Sequence, residues 1–227
     1  MNIKSQFTRH SLSYDEYNLI QKKAIQKLLN EIHPKPRSIL DLGCGTGSLY
    51  KAIDWPLDYF FAVDFSEQML AKHPRAANIE CRLADFDNRS LFDDLQQRSF
   101  DRVISSSSLQ WANDLDATFK NINNLNAPVA FAIFTANTFK TLFATARIPP
   151  LLRTVDQVTT LARQYFDASF ETINYTLEFD DTHEMLRYIK KSGVSSARNV
   201  LDYKATKQLI RNYPLNYLEF EVLFIIE

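Results

Sequence analysis

The chain has 227 residues, 45% apolar and 23% charged, with a formal net charge of -1. That length suits one large α/β domain with enough chain to bury a substantial core. The balanced charge excludes a global field that would draw the protein to nucleic acid or to an anionic membrane. No apolar run is long enough to span a bilayer. Met1 to Arg9 is polar and unlike a secretory signal. Cys44 and Cys81 form no disulfide or metal spacing. The expectation is a cytoplasmic protein, taken as a monomer, with two free thiols and no metal. His183-Glu184 opens like a zinc-protease motif, but Arg187 stands where the second histidine belongs.

In chain order, Tyr14 to Ile32 has apolar residues near helical spacing, and Pro34 and Pro36 follow it. Ser38 to Leu42 is a short apolar run, hence a buried strand, and a helix is expected from Gly47 to about Asp54. Tyr59 to Val63 is a second strand ending at Asp64, after which Ser66 caps a helix through about His73. Ile79 to Leu83, Phe100 to Ser105 and Val129 to Phe134 read as further strands, with helices at Ser90 to Gln97 and Asp114 to Ile122. This alternation predicts a doubly wound, mostly parallel sheet with helices on both faces.

After Thr135 the rhythm changes. Helical stretches at Phe139 to Ala146 and Val155 to Tyr165 flank Pro149-Pro150. Phe170 to Phe179 and Leu218 to Ile226 are strand-like and enclose helical stretches at Thr182 to Lys191 and Lys204 to Asn212. The prediction is a Rossmann-like α/β fold of seven strands whose last strand is antiparallel. It is read as a single domain over 1–227, with an N-terminal lid helix at about 7–33 and cap insertions at about 137–168 and 182–213.

Glycine is the informative residue: there are four in the chain, and three of them are Gly43, Gly45 and Gly47. A strand, a glycine-rich turn and a helix let backbone approach a ligand closely, beyond the carboxyl end of the first strand. Asp64 follows Gly43 by 21 residues, at the end of the second strand, where a carboxylate can accept both hydroxyl protons of a ribose. Asp85 holds the equivalent place after the third strand and can meet an adenine amino group; the alternative is a helix or turn cap. A dinucleotide loop would need a glycine at position 48, which is Ser48. Asp41 would repel a pyrophosphate but can help to hold a cationic amino-acid moiety, which favours S-adenosylmethionine over NAD.

Leu40-Asp41-Leu42-Gly43-Cys44-Gly45-Thr46-Gly47 resembles the first motif of the class I methyltransferases. Ala62 to Ser66 with Met69-Leu70, and Leu83-Ala84-Asp85-Phe86, resemble the second and third. The resemblance implies S-adenosylmethionine as cofactor. It implies contacts from Asp41, Gly43, Gly45, Gly47, Asp64, Phe65, Met69, Asp85 and Phe86, with Ser105-Ser106 lining the transferable methyl. For Met69, ordinary core packing is the alternative.

Three further stretches are similar to the biotin-pathway family that methylates malonyl-acyl carrier protein: Phe7 to Gln21, Ile104 to Trp111 with Asp114-Leu115, and Phe131 to Ala146 with Phe179 to Gly193. The similarity implies methyl transfer to a carboxylate oxygen and an acyl carrier protein as partner. A free small carboxylic acid, a quinone ring carbon, or binding without catalysis are the alternatives. The chain departs from that family before and after the fifth strand, where Asn123 to Pro128 and Ala136-Asn137-Thr138 replace its glycine-containing turns. A carboxylate is already ionised at neutral pH and needs no general base. Among Lys140, Arg147 and Arg153, Arg147 is put forward as the residue that grips it. Tyr14 is put forward as a lid over the cofactor, or else as a core aromatic. Trp111 is expected to pack beneath the following helix. Lys190, Lys191, Arg198, Lys204, Lys207 and Arg211 are candidates for a basic docking face.

Overall fold

The computed structural model describes residues 18–191 and 203–227. Its five leading strands are β1 (Ser38–Leu42), β2 (Tyr59–Asp64), β3 (Ile79–Leu83), β4 (Arg102–Ser106) and β5 (Val129–Phe134). The helices α1 (Leu19–Glu31), α2 (Ser48–Ala52), α3 (Glu67–Leu70), α4 (Arg89–Leu95) and α5 (Leu115–Asn123) precede or connect them. Beyond β5 come α6 (Lys140–Ala146), α7 (Val155–Ala162), β6 (Ser169–Glu178), α8 (Thr182–Lys191), α9 (Tyr203–Asn212) and β7 (Tyr217–Ile226).

The strands form one seven-stranded sheet in the order β3-β2-β1-β4-β5-β7-β6. The pairs among β1 to β5 are parallel, while β7 is antiparallel to both β5 and β6. Strand order reverses between β1 and β4, and the carboxyl ends there diverge to leave a crevice. The expected pairing of the last two strands is present: β6 and β7 match from Ser169↔Ile226 to Glu178↔Tyr217, with α8 and α9 between them in the chain.

The side-chain period of two divides the core. Ile39, Phe60, Ala62, Ile104 and Phe224 point to one face, covered by Ile20, Ala24 and Leu28 of α1, Leu49 of α2 and Leu209 of α9. Leu40, Leu42, Phe61, Val63, Val103 and Phe131 point to the other, covered by Leu91 and Phe92 of α4, Phe119 of α5 and Val158 of α7. The central strands are apolar on consecutive residues because both faces are buried.

Side-chain caps start four of the helices. Ser66, Asn88, Asp114 and Thr154 each accept a first-turn amide of α3, α4, α5 and α7, respectively. Helix α3 is shorter than the sequence suggests: the amides of Lys72 and His73 bond three residues back, to Met69 and Leu70, so the chain tightens before Pro74. Among the described residues, no helix is long and apolar enough to cross a membrane, and no cluster of side chains could hold a metal ion.

Candidate functional site

The site begins where β1 runs into the glycine loop. Gly43, Gly45 and Gly47 all have positive φ, at 79°, 54° and 81°. Two of them answer different needs. A Cβ on Gly43 would lie 2.3 Å from the Cβ of Ser108, so packing forbids a side chain there. A Cβ on Gly45 would meet nothing within 4 Å, so this backbone faces open space in which a ligand can approach it.

The loop is fixed from β2. The amides of Gly43 and Cys44 both donate to the Val63 carbonyl, at 2.8 and 2.9 Å. Asp64, closing β2, accepts the Gly45 amide on Oδ2 at 2.9 Å and the Ser66 amide on Oδ1 at 2.8 Å. The Phe65 amide also bonds this carboxylate, which still has acceptor capacity left for a ligand hydroxyl. Burial pushes the Asp64 carboxyl up to about 6; the amides of Ser66 and Gly45 oppose the rise and neighbouring Asp85 adds to it. Asp41 is 1% exposed, its Oδ2 has no hydrogen-bond partner, and burial first, then Asp64, holds its carboxyl well above the usual range.

Two clefts meet over this loop. One, of about 480 Å3, is lined by Asp64, Phe65, Met69, Phe86 and Trp111 together with Gly43, Gly45 and Ser106 to Ser108. The other, of about 380 Å3, is lined by Asn18, Gln21, Asp41, Thr46 and Ser48, with Gly43, Gly45, Ser106 and Ser107 shared between the two. The first is rich in aromatic and thioether surface, and the second is more polar, with Ile25, Cys44 and Leu49 as its apolar part.

The side chains singled out in the sequence distribute unevenly. Gly43, Gly45, Asp64, Phe65, Met69 and Phe86 converge on the first cleft, and Asp41 on the second. Met69 is 3% exposed and so serves core and cleft at once. Asp85 accepts the Asp87 amide at 3.1 Å, the turn-capping geometry named as its alternative, and its neighbour Phe86 reaches the cleft. Gly47 packs against His73 and Pro74 and starts α2. Ser105 is fully buried, its hydroxyl donating to the Leu42 carbonyl at 2.7 Å, so it braces β4 to β1 while Ser106 and Ser107 face the clefts.

Trp111 corrects an expectation: it lines the first cleft, because a 3-10 turn over Leu109–Trp111 carries it back toward the loop. Ser107 was not singled out either; it takes φ 64°, with its carbonyl held by Gln110 Nε2 at 2.7 Å. A left-handed serine leaves no mark in a sequence.

Arg147 is exposed in a left-handed conformation at the end of α6 and lines neither cleft. Lys140 is exposed as well. Arg153 donates to the carbonyls of Ala112 and Asn113, tying the segment after β5 to that after β4. Tyr14 and Arg198 lie outside the described residues. Of the other docking candidates, Lys207 and Arg211 are exposed on α9.

Residues 40–131 match the methyltransferase domain family. The chain is 25% identical to the malonyl-acyl-carrier protein O-methyltransferase of Bacillus cereus, covering 86% of this chain and 81% of that protein. It is 28% identical to the enzyme of the same name from Acetivibrio thermocellus, covering 93% and 85%. Among solved structures, a putative methyltransferase from an antibiotic biosynthesis pathway of Anabaena variabilis superposes with a TM-score of 0.60 at 15% identity, covering 90% of this chain and 97% of that one. Phosphoethanolamine N-methyltransferase 2 of Haemonchus contortus, solved with S-adenosylhomocysteine, gives 0.59 at 16%, covering all of this chain and 60% of that one. Domain, relatives and fold agree: the chain carries a methyltransferase domain over residues 40–131 and resembles the malonyl-acyl-carrier protein O-methyltransferases, which supports S-adenosylmethionine-dependent methyl transfer.

Proposed function

We propose that the chain transfers a methyl group from S-adenosylmethionine to a carboxylate oxygen, the free carboxyl of a malonyl group carried on an acyl carrier protein. The observation that carries the reading is Asp64: a buried carboxylate on the cleft wall that also fixes the Gly45 amide. The residues fit the donor. Phe65, Met69 and Phe86 supply flat or polarisable apolar surface for an adenine. Asp64 has lone pairs for the ribose hydroxyls. Asp41 and its polar neighbours suit the charged amino-acid end. When bound, S-adenosylmethionine supplies a sulfonium methyl that the acceptor oxygen takes as the carbon–sulfur bond breaks.

The chain's own contribution is alignment in a dry pocket rather than proton transfer. Gly45 allows close backbone approach, and Gly43 lets the loop pack against Ser108. Ser106 and Ser107, common to both clefts, stand where the donor's two halves would join. The partner assignment rests on the relatives' names and on the stretches of sequence similar to theirs. Transfer of labelled methyl to malonyl-acyl carrier protein tests it. A base-labile product supports an ester. Methylation only of a free carboxylic acid would move the substrate, a carbon-methylated product would replace the reaction, and no turnover with any acceptor would remove catalysis.

A further inference from the structure

Three polar side chains in the second cleft have hydrogen-bonding capacity that the fold leaves unused. Asn18 is 1% exposed and Gln21 5%, yet neither Asn18 amide atom nor Gln21 Oε1 has a partner, and Asp41 Oδ2 beside them has none. Burying such atoms unpaired is costly, so an arrangement that leaves several together on one cleft wall points to a ligand. Asn18 makes the case sharper. It sits at the N-cap of α1, where asparagine ordinarily stabilises a helix by accepting a first-turn amide, but its side chain makes no such bond.

The wall offers a donor in Asn18 Nδ2 and acceptors in Gln21 Oε1 and Asp41 Oδ2. Among the described residues, no lysine or arginine lines this cleft. A purely anionic ligand would face Asp41 unaided, and an apolar one would leave every atom unsatisfied. A group carrying an ammonium and a carboxylate on one carbon satisfies both kinds. We infer that Asn18 and Gln21 read the amino-acid end of the methyl donor, Asn18 Nδ2 donating to its carboxylate and Gln21 Oε1 accepting from its ammonium. The inference rests on the donor assigned above. It makes α1 a determinant of donor specificity, selecting the whole cofactor over a truncated nucleoside.

The test is calorimetric titration of the full chain with S-adenosylhomocysteine and with 5′-methylthioadenosine, which keeps the nucleoside and lacks the amino acid. The variants Asn18→Ala and Gln21→Ala should each weaken the first ligand by about 10–100-fold, the loss expected for a hydrogen bond to a charged group, and leave the second unchanged. Asn18→Asp, close in volume, exchanges the donor for an anion and should weaken the first ligand further while thermal unfolding shows the fold retained. Equal weakening of both ligands, or no weakening of either, overturns the inference alone. A wild-type chain that binds neither nucleoside overturns the donor assignment and the inference with it.

Discussion

Two ends of the sheet bury carboxylates, and they use them differently. At the β1–β2 end, Asp41 keeps an unpartnered oxygen and Asp64 faces a cleft while anchoring the loop. At the β5–β7 end, Glu221 is 7% exposed, and its two oxygens are taken up by Thr135 Oγ1 at 2.5 Å and Asn137 Nδ2 at 2.8 Å. Thr138 completes the cluster through the Glu221 backbone, accepting its amide and donating to its carbonyl. Burial alone therefore does not mark a binding residue. Glu221 closes a structural junction between the parallel half and the antiparallel addition, and the unspent valence at Asp41 and Asp64 marks the site.

Substituting the two acids is the strongest way to break this contrast. Asp64→Ala removes the anchor of Gly45 and the acceptor for the ligand, and should weaken S-adenosylhomocysteine by about 100-fold or more, as lost charged hydrogen bonds predict. Glu221→Ala should do the reverse: it strands the buried Thr135 hydroxyl and lowers unfolding free energy by about 1–3 kcal/mol, with ligand affinity in the folded protein unchanged. Equal effects on binding from both variants, read by calorimetry and chemical denaturation, would erase the distinction.

Acidity sharpens it next. Asp64 titrates at about 6 when folded against an ordinary 3.8, so the folded chain binds more protons than the unfolded one in between. Its contribution to stability is therefore present at about pH 4 and is lost as pH rises through about 6, by about 2–3 kcal/mol at most. Ribose hydroxyls donate to the ionised form, so ligand affinity should rise over the same window. A pH-independent affinity between about 5 and 7 would contradict the role given to Asp64.

The glycines give a subtler pair. Gly43→Ala forces a Cβ against Ser108 and should lower stability by about 1–3 kcal/mol, seen as a fall in Tm. Gly45→Ala adds only the strain of a left-handed residue, about 1 kcal/mol, but intrudes on the ligand's approach, so affinity should fall more than Tm. The smallest effect is at Arg147. Exposed and outside both clefts, it should raise the acceptor KM only a few-fold on substitution by alanine, as an exposed ion pair would, with donor affinity unchanged. Unchanged acceptor kinetics would remove it from acceptor recognition.

Much of the β1–β5 half was legible because each strand is short, apolar and bounded by a cap or a turn. Ser66 and Asp114 cap the helices that the sequence placed after them. The glycine loop and Asp64 were legible because spacing alone puts them at adjacent strand ends. Trp111 was misplaced and Ser107 was missed because their positions depend on a 3-10 turn and on a left-handed residue held by Gln110, which no periodicity encodes. Asn18 was missed for a related reason: the periodicity runs a helix from Tyr14 through it, and only the structure shows Asn18 at the N-cap of α1 with its amide unbonded. The sequence foresaw the pairing of the last two strands, but not that β7 lies between β5 and β6.

The central claim is that a nucleoside with an amino-acid tail occupies the joined clefts with its ribose on Asp64. Titrating S-adenosylhomocysteine into the wild-type chain and into Asp64→Ala is the most direct test. Saturable heat at one site per chain and a rise in Tm for the wild type, both lost in the variant, is the predicted result. No heat and no thermal shift in the wild type, or equal binding by the two proteins, would contradict it.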